Sequence, residues 1–194
     1  MFILYMDFIY INNNSIPPEL CSTIISTFEK EPNKYKGVTR RGLDITIKDT
    51  LDYFISINID KESMWYDINL FLYNELTKNL VDFDKILFEK YNIHLFDNKL
   101  CDTGFMLQRY TKNVGKFIYH EDFSIKDNIH RVITYIWYLN NVNEGGETEF
   151  CGDFRIKPTT GKLVLFPASW CYPHCGCMPI SDDKYIITGW LYIV

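Results

Sequence analysis

From residue 101 onward the chain is a succession of short β-branched and aromatic runs separated by turn residues: GFMLQRY (104–110), KFIYHEDF (116–123), RVITYIWYLN (131–140), GETEF (146–150), GKLVLFPA (161–168) and KYIITGWLYIV (184–194). Runs of this length and composition form strands. Because a more helical first half precedes them, the chain is predicted to be an α+β protein. Its strands would close a double-stranded β-helix (jelly-roll) barrel braced by N-terminal helices.

In the first half, Phe8 to Asn12 reads as a short strand. The segment from Ser15 to Glu19 starts a helix whose prolines, Pro17 and Pro18, fall in the first turn, where no intrahelical donor is lost. Leu20, Ile24, Ile25 and Phe28 give it an apolar stripe. Residues 31–48 are polar, carry two glycines and the cations Lys36, Arg40 and Arg41, and are expected to form a loop ending in a strand near Asp44 to Ile47. From Ser63 to Tyr91, apolar residues keep a roughly helical period, which predicts two helices broken near Val81 to Asp84. No repeat or linker divides the chain. One domain is expected, with helical support over about 1–99 and the barrel core over about 100–194.

A chain of 194 residues is long enough to bury roughly 70% of the surface its unfolded form would expose. Its 47% hydrophobic and 16% aromatic content argues against disorder. A net charge of −5 carries no overall footprint for nucleic acid or an anionic membrane. The apolar opening MFILYMDFIYI is interrupted by Asp7 and lacks a basic leading region, so it is not read as a signal peptide. No run approaches the roughly 18 apolar residues of a membrane span. The six cysteines are accordingly expected as reduced thiols in the cytoplasm.

His120 and Asp122 lie two apart in a strand-like run, so alternation puts both side chains on one face and Glu121 on the other. Such a pair can simply share a hydrogen bond, or it can bind a metal. His174 offers a third ligand, distant in sequence but within reach if the strands pack into one barrel. Two histidines and a carboxylate leave open positions on the metal and suit non-haem iron(II) oxygenases. His94 and His130 lack such a partner two positions on and read as ordinary residues. A rival use of His174 is a structural zinc site with Cys171, Cys175 and Cys177, although Cys175 and Cys177 are closely spaced and no second ligand pair is evident. In the last strand Lys184, Ile186, Thr188, Trp190 and Tyr192 share a face. Lys184 can be a solvated residue following Asp182 and Asp183, or it can anchor a carboxylate, with Thr188 adding a hydroxyl and Trp190 a wall.

Taken in order, these features carry a resemblance. The series is Arg109-Tyr110, Gly115, His120-x-Asp122, Arg131 to Asn140 with Tyr138 inside it, Gly145 to Phe150, Gly161 to Phe166, His174, Lys184, Thr188 and Trp190. It resembles the prolyl 4-hydroxylase-like branch of the iron(II)/2-oxoglutarate-dependent dioxygenases, closely over roughly 100–194. The resemblance implies that His120, Asp122 and His174 bind Fe(II) and that Lys184 binds the far carboxylate of 2-oxoglutarate. It also places Tyr110, Tyr138, Thr188 and Trp190 along the cofactor pocket. Phe117 stands where many relatives carry tyrosine. The implied reaction hydroxylates a C–H bond, with dioxygen as co-substrate, succinate and carbon dioxide as products, and ascorbate as a candidate reductant. The favoured substrate is a prolyl residue in a protein or peptide, with nucleic acid disfavoured by the net charge. Other side chains, small metabolites and nucleobases are the alternatives within the class. A catalytically silent binding domain is the alternative outside it, and retention of all three ligands and Lys184 speaks against that. Arg109, Arg131 and the loop from Lys34 to Arg41 are candidates for contacts around the site.

Overall fold

Proline chemistry sets the first helix. In the computed structural model, which describes residues 7–95, 100–126 and 129–193, strand β1 (Tyr10–Asn12) is followed by α1 (Pro18–Lys30), with Pro17 as its cap. Neither proline therefore removes an intrahelical donor. The helix buries Cys21, Ile24, Thr27 and Phe28, while Leu20 and Ile25 are only partly covered. Residues 1–6 of the apolar opening lie outside the described residues.

The polar segment that follows contributes β2 (Tyr35–Lys36) and β3 (Lys48–Asp49), and β4 (Leu51–Ser56) comes directly after. The strand expected at Asp44 to Ile47 is instead a turn. Asp44 Oδ1 accepts the Thr46 backbone N–H at 2.9 Å and the Thr46 hydroxyl at 2.6 Å, which curls the chain before β3 begins.

The two helices expected between Ser63 and Tyr91 are one, α2 (Tyr66–Tyr91). Its buried face runs Ile68, Leu72, Leu76, Asn79, Phe83, Leu87, an uninterrupted series of three- and four-residue steps. The stripe thus passes through Val81 to Asp84, where a break was expected, and includes one polar residue, Asn79. It is fully buried, yet its Oδ1 accepts from Tyr10 Oη (3.0 Å) and Asn12 Nδ2 (2.8 Å), and its Nδ2 donates to the Glu75 carbonyl (2.7 Å). A buried amide so partnered has no reason to end a helix.

The remaining strands are β5 (Gly104–Tyr110), β6 (Lys116–His120), β7 (Ile125–Lys126), β8 (Ile129–Tyr138), β9 (Thr148–Phe150), β10 (Phe154–Ile156), β11 (Leu163–Pro167), β12 (His174–Gly176) and β13 (Lys184–Ile193). Among the described residues they form two antiparallel sheets. The larger runs β1-β11-β8-β13-β5-β4-β2 with β7 beside β8, and the smaller runs β10-β9-β12-β6-β3. This is the expected α+β jelly roll.

Alternation assigns each face of the larger sheet. On β8, Ile133, Tyr135 and Trp137 pack with Phe28, Leu72 and Phe83 of the helices, while Ile136 and Tyr138 turn inward to Phe150 and Tyr172 of the smaller sheet's side. On β13, Ile187 and Leu191 face the helices, which leaves Lys184, Ile186, Thr188 and Trp190 directed between the sheets. A register shift between Leu191 and Tyr192 ends the regular alternation there. Among the described residues no helix is long and apolar enough to cross a membrane.

Candidate metal centre

His120 ends β6 and His174 opens β12, and the two are directly paired across the antiparallel ladder, with ring centroids 4.3 Å apart. Asp122 lies just past the end of β6, so strand alternation is not what brings it in. Instead the chain leaves the sheet at Glu121, and the Thr134 hydroxyl, facing inward from β8, donates to Asp122 Oδ2 at 2.8 Å. His174 Nε2 lies 3.5 Å from Asp122 Oδ2 and His120 Nε2 4.0 Å from Oδ1. One ligand atom from each of the three residues lies within 4.8 Å of the others.

The protonation pattern suits a cation. His120 Nδ1 is 2.8 Å from the Ile118 carbonyl and His174 Nδ1 is 3.0 Å from the Tyr172 carbonyl. A carbonyl only accepts, so Nδ1 carries the proton in each ring and Nε2 presents its lone pair to the common centre. Burial, then the nearby charge of His174, pushes His120 down to about 4. Burial also acts to raise Asp122, but the two histidines and the hydrogen bond from Thr134 outweigh it and hold the carboxyl below its ordinary range. A neutral imidazole and an ionised carboxylate are the forms that bind metal. Two nitrogens and one oxygen on one side of the centre leave the opposite positions open.

A cavity of about 570 Å³ opens onto this centre, and Lys184, Thr188, Trp190 and Tyr110 line it. The Lys184 side chain is 1% exposed, with its Nζ 4.6 Å from the Tyr110 ring centroid and 5.7 Å from that of Tyr138. Burial pushes this amine down to about 8. Among the described residues it meets no carboxylate within ion-pairing distance, so a buried cation waits on a wall of the cavity. Gly176 makes room there, because a Cβ would sit 3.0 Å from the Tyr110 ring. Tyr138 stands behind the lining: its hydroxyl donates to Thr148 Oγ1 at 2.7 Å, and Thr148 is the residue that reaches the cavity. The Thr188 hydroxyl donates to the Tyr135 carbonyl at 2.8 Å, leaving only acceptor capacity toward the cavity.

Other expectations are revised. Arg109 points away from the site, to Glu29 Oε2 at 3.0 Å, because alternation on β5 sends Gln108 and Tyr110 inward and Arg109 outward. Glu149, on the strand β9, is buried and accepts from Tyr119 Oη at 2.6 Å. His94 pairs with Asp84 at the surface. Alternation turns Cys175 away from His174, and among the described residues the cysteines join no group of three potential metal ligands. The sequence reading missed Thr134 and a buried chain of polar groups: Lys48 Nζ lies 2.8 Å from Asp52 Oδ2, which also accepts from Gln108 Nε2 at 3.3 Å. Lys48 also sits over the Phe117 ring, which stacks flat on His120 at 3.5 Å. Shared alternation with Tyr110 and with Ile136 could have pointed to Gln108 and Thr134.

Residues 105–192 match the family model described as 2OG-Fe(II) oxygenase superfamily. Prolyl 4-hydroxylase 1 of Arabidopsis thaliana is 33% identical over 37% of this chain and 32% of its own length. Probable prolyl 4-hydroxylase 3 of the same plant is 28% identical over 44% and 39%. The match thus spans well under half of these curated relatives. Among solved structures, the viral collagen prolyl hydroxylase of Paramecium Bursaria Chlorella virus-1 superposes with a TM-score of 0.67 at 19% identity, covering 96% of this chain and 97% of that one. A Trichoplax adhaerens prolyl hydroxylase, solved with a hypoxia inducible factor peptide fragment, gives 0.70 at 18%, covering 98% and 86%. Those two likenesses establish the fold. Residues 105–192 thus carry the likeness to the 2OG-Fe(II) oxygenase superfamily, whose members use Fe(II) and 2-oxoglutarate. The curated relatives to which the chain is similar are prolyl 4-hydroxylases.

Proposed function

We propose that the chain is an iron(II)- and 2-oxoglutarate-dependent dioxygenase that hydroxylates a prolyl residue of a protein or peptide. The observation that carries this reading is the meeting, in one cavity, of three converging ligand atoms and a buried lysine with no carboxylate partner among the described residues. His120, Asp122 and His174 would hold the iron, and Lys184 the far carboxylate of 2-oxoglutarate. When bound there, these groups supply, with dioxygen, an oxidant for an unactivated C–H bond, with release of succinate and carbon dioxide.

The chain's own residues position and shield. The backbone carbonyls of Ile118 and Tyr172 fix both imidazole tautomers. Thr134 fixes the rotation of the Asp122 carboxylate. Lys184 places one positive charge where a dicarboxylate needs it, in surroundings that strengthen the pair. Phe117, Ile136, Ile186 and Trp190 provide apolar walls that limit water around the reacting centre. The prolyl assignment is supported by the naming of the Arabidopsis relatives as prolyl 4-hydroxylases and by the peptide in the Trichoplax structure.

The test is turnover of 2-oxoglutarate with iron(II) and a peptide library under air, read by mass spectrometry. Succinate together with a gain of one oxygen on proline is the expected result. No succinate would overturn the oxygenase reading, and oxygen gained only on proline-free peptides would overturn the prolyl one. Thr134→Val, which keeps the side-chain shape but not the hydroxyl, is expected to weaken iron(II) binding about tenfold, the lower end of the range for groups that orient a metal ligand. Thr134→Ser should restore it in an anaerobic titration.

A further inference from the structure

The chain has five arginines, and their pairing divides by location. Arg109 and Arg155, both outside the cavity lining, pair with Glu29 and Glu149. Arg40, Arg41 and Arg131 line the cavity, and among the described residues none of them meets a carboxylate. Among the described residues Arg40 donates to the Phe123 carbonyl. Arg131 lies over the Trp190 ring, 3.8 Å from its centroid, with its Nε buried and without a partner. In a chain of net charge −5, the cavity is thus lined by five cations and two anions. Lys184 and Asp122 are taken up by the proposed cofactor and metal, and Lys48 is neutralised by Asp52. What remains for a substrate is three unpaired guanidinium groups against Glu121.

We infer that the cavity mouth selects an acidic peptide, one whose Asp or Glu side chains flank the residue to be oxidised and pair with Arg40, Arg41 and Arg131. This rests on the oxygenase reading for the position of the reacting residue. Guanidinium groups match carboxylates with paired, parallel hydrogen bonds. The surface near them, at Val38, Ile47 and Ile118, is apolar and partly exposed. Such a surface suits peptide side chains and leaves a phosphodiester backbone unmatched. The opposed signs of mouth and chain as a whole also favour a ligand that is acidic locally over an extended polyanion.

The experiment measures binding of fluorescently labelled peptides to the full chain loaded with iron(II) and 2-oxoglutarate in the absence of oxygen. Three peptides share a central proline and carry glutamate, glutamine or lysine on both sides. The glutamate peptide is expected to bind about tenfold more tightly than the glutamine one, with an advantage that shrinks as salt rises, and the lysine peptide most weakly. Arg40→Gln with Arg41→Gln should erase most of the preference. Should that variant fail to fold, the salt dependence of the wild type still decides. Equal affinity for the glutamate and glutamine peptides, a salt-independent preference, or tighter binding of a single-stranded oligonucleotide than of the glutamate peptide would overturn the inference. Succinate release by the wild type is scored separately: peptide preference without succinate removes the oxygenase reading, and succinate without preference removes only this one.

Discussion

Asp122→Ala is expected to produce a folded protein that iron(II) no longer stabilises. In the wild type, metal at a hundred times its dissociation constant adds about 2.7 kcal/mol of stability, because it binds the native state alone. For a chain of this size that is a rise of roughly 5–10 °C in Tm under anaerobic conditions. The variant should show no rise, and its 2-oxoglutarate turnover should disappear with it. Asp122 has this weight because it supplies the only negative charge among the three ligand side chains. The two imidazoles left behind would have to hold a divalent cation in a buried site without charge compensation. The cysteine-based alternative makes the opposite forecast. A chain with Cys171, Cys175 and Cys177 all changed to Ser should keep the full metal-induced rise. A rise lost in the cysteine variant and kept in Asp122→Ala would transfer the metal to the cysteines.

How much of this was legible beforehand depended on the range of the interaction. Period-two alternation made the inward row of Lys184, Ile186, Thr188 and Trp190 readable, since it follows from strand geometry alone. The meeting of His120 with His174 required the β6–β12 pairing, which no local pattern discloses. Lys48 and Asp52 drew no reading from the sequence, because a buried ion pair and two solvated side chains are the same letters until β4 is known to lie beside β5 and β3 beside β6. Arg109 misled in the other direction. It adjoins Tyr110 in the resembling motif, yet one residue along a strand is the opposite face. The break expected near Val81 to Asp84 is not there, because α2 keeps one buried face through Asn79 and Phe83 and the structure satisfies the Asn79 amide from β1 and from the preceding helical turn. In each case the missing information was a partner distant in the chain.

Lys184→Met is expected to separate cofactor binding from stability in opposite senses. Burial pushes the Lys184 amine from its ordinary 10.5 down to about 8, and the neighbouring Cys177 and Glu147 only partly offset this. Between those two values the unfolded chain carries the proton and the folded, cofactor-free protein does not, so this residue makes stability rise with pH from about 8 to 10.5. Below about 8 the protonated amine sits buried with no carboxylate partner among the described residues, at a cost of about 3 kcal/mol. Methionine has similar length and no charge. The cofactor-free variant should therefore be more stable than the wild type near neutral pH, with the difference closing as pH approaches 10.5. A dicarboxylate set against the amine reverses the preference by favouring the protonated form. Binding of 2-oxoglutarate to the wild type should then take up a proton above about pH 8, with affinity falling up to tenfold per pH unit. Lys184→Met should lose at least about a hundredfold in affinity near neutral pH, as expected when one partner of a buried charge pair is removed. Isothermal titration at several pH values, with unfolding of both proteins followed over the same range, reads all of these together. Unchanged affinity in the variant, or a wild-type affinity flat across pH 8, would mean that the far carboxylate is held elsewhere. A variant that binds poorly and is also less stable without cofactor would mean that Lys184 already has a partner in the folded protein, and that its burial serves the fold before the ligand.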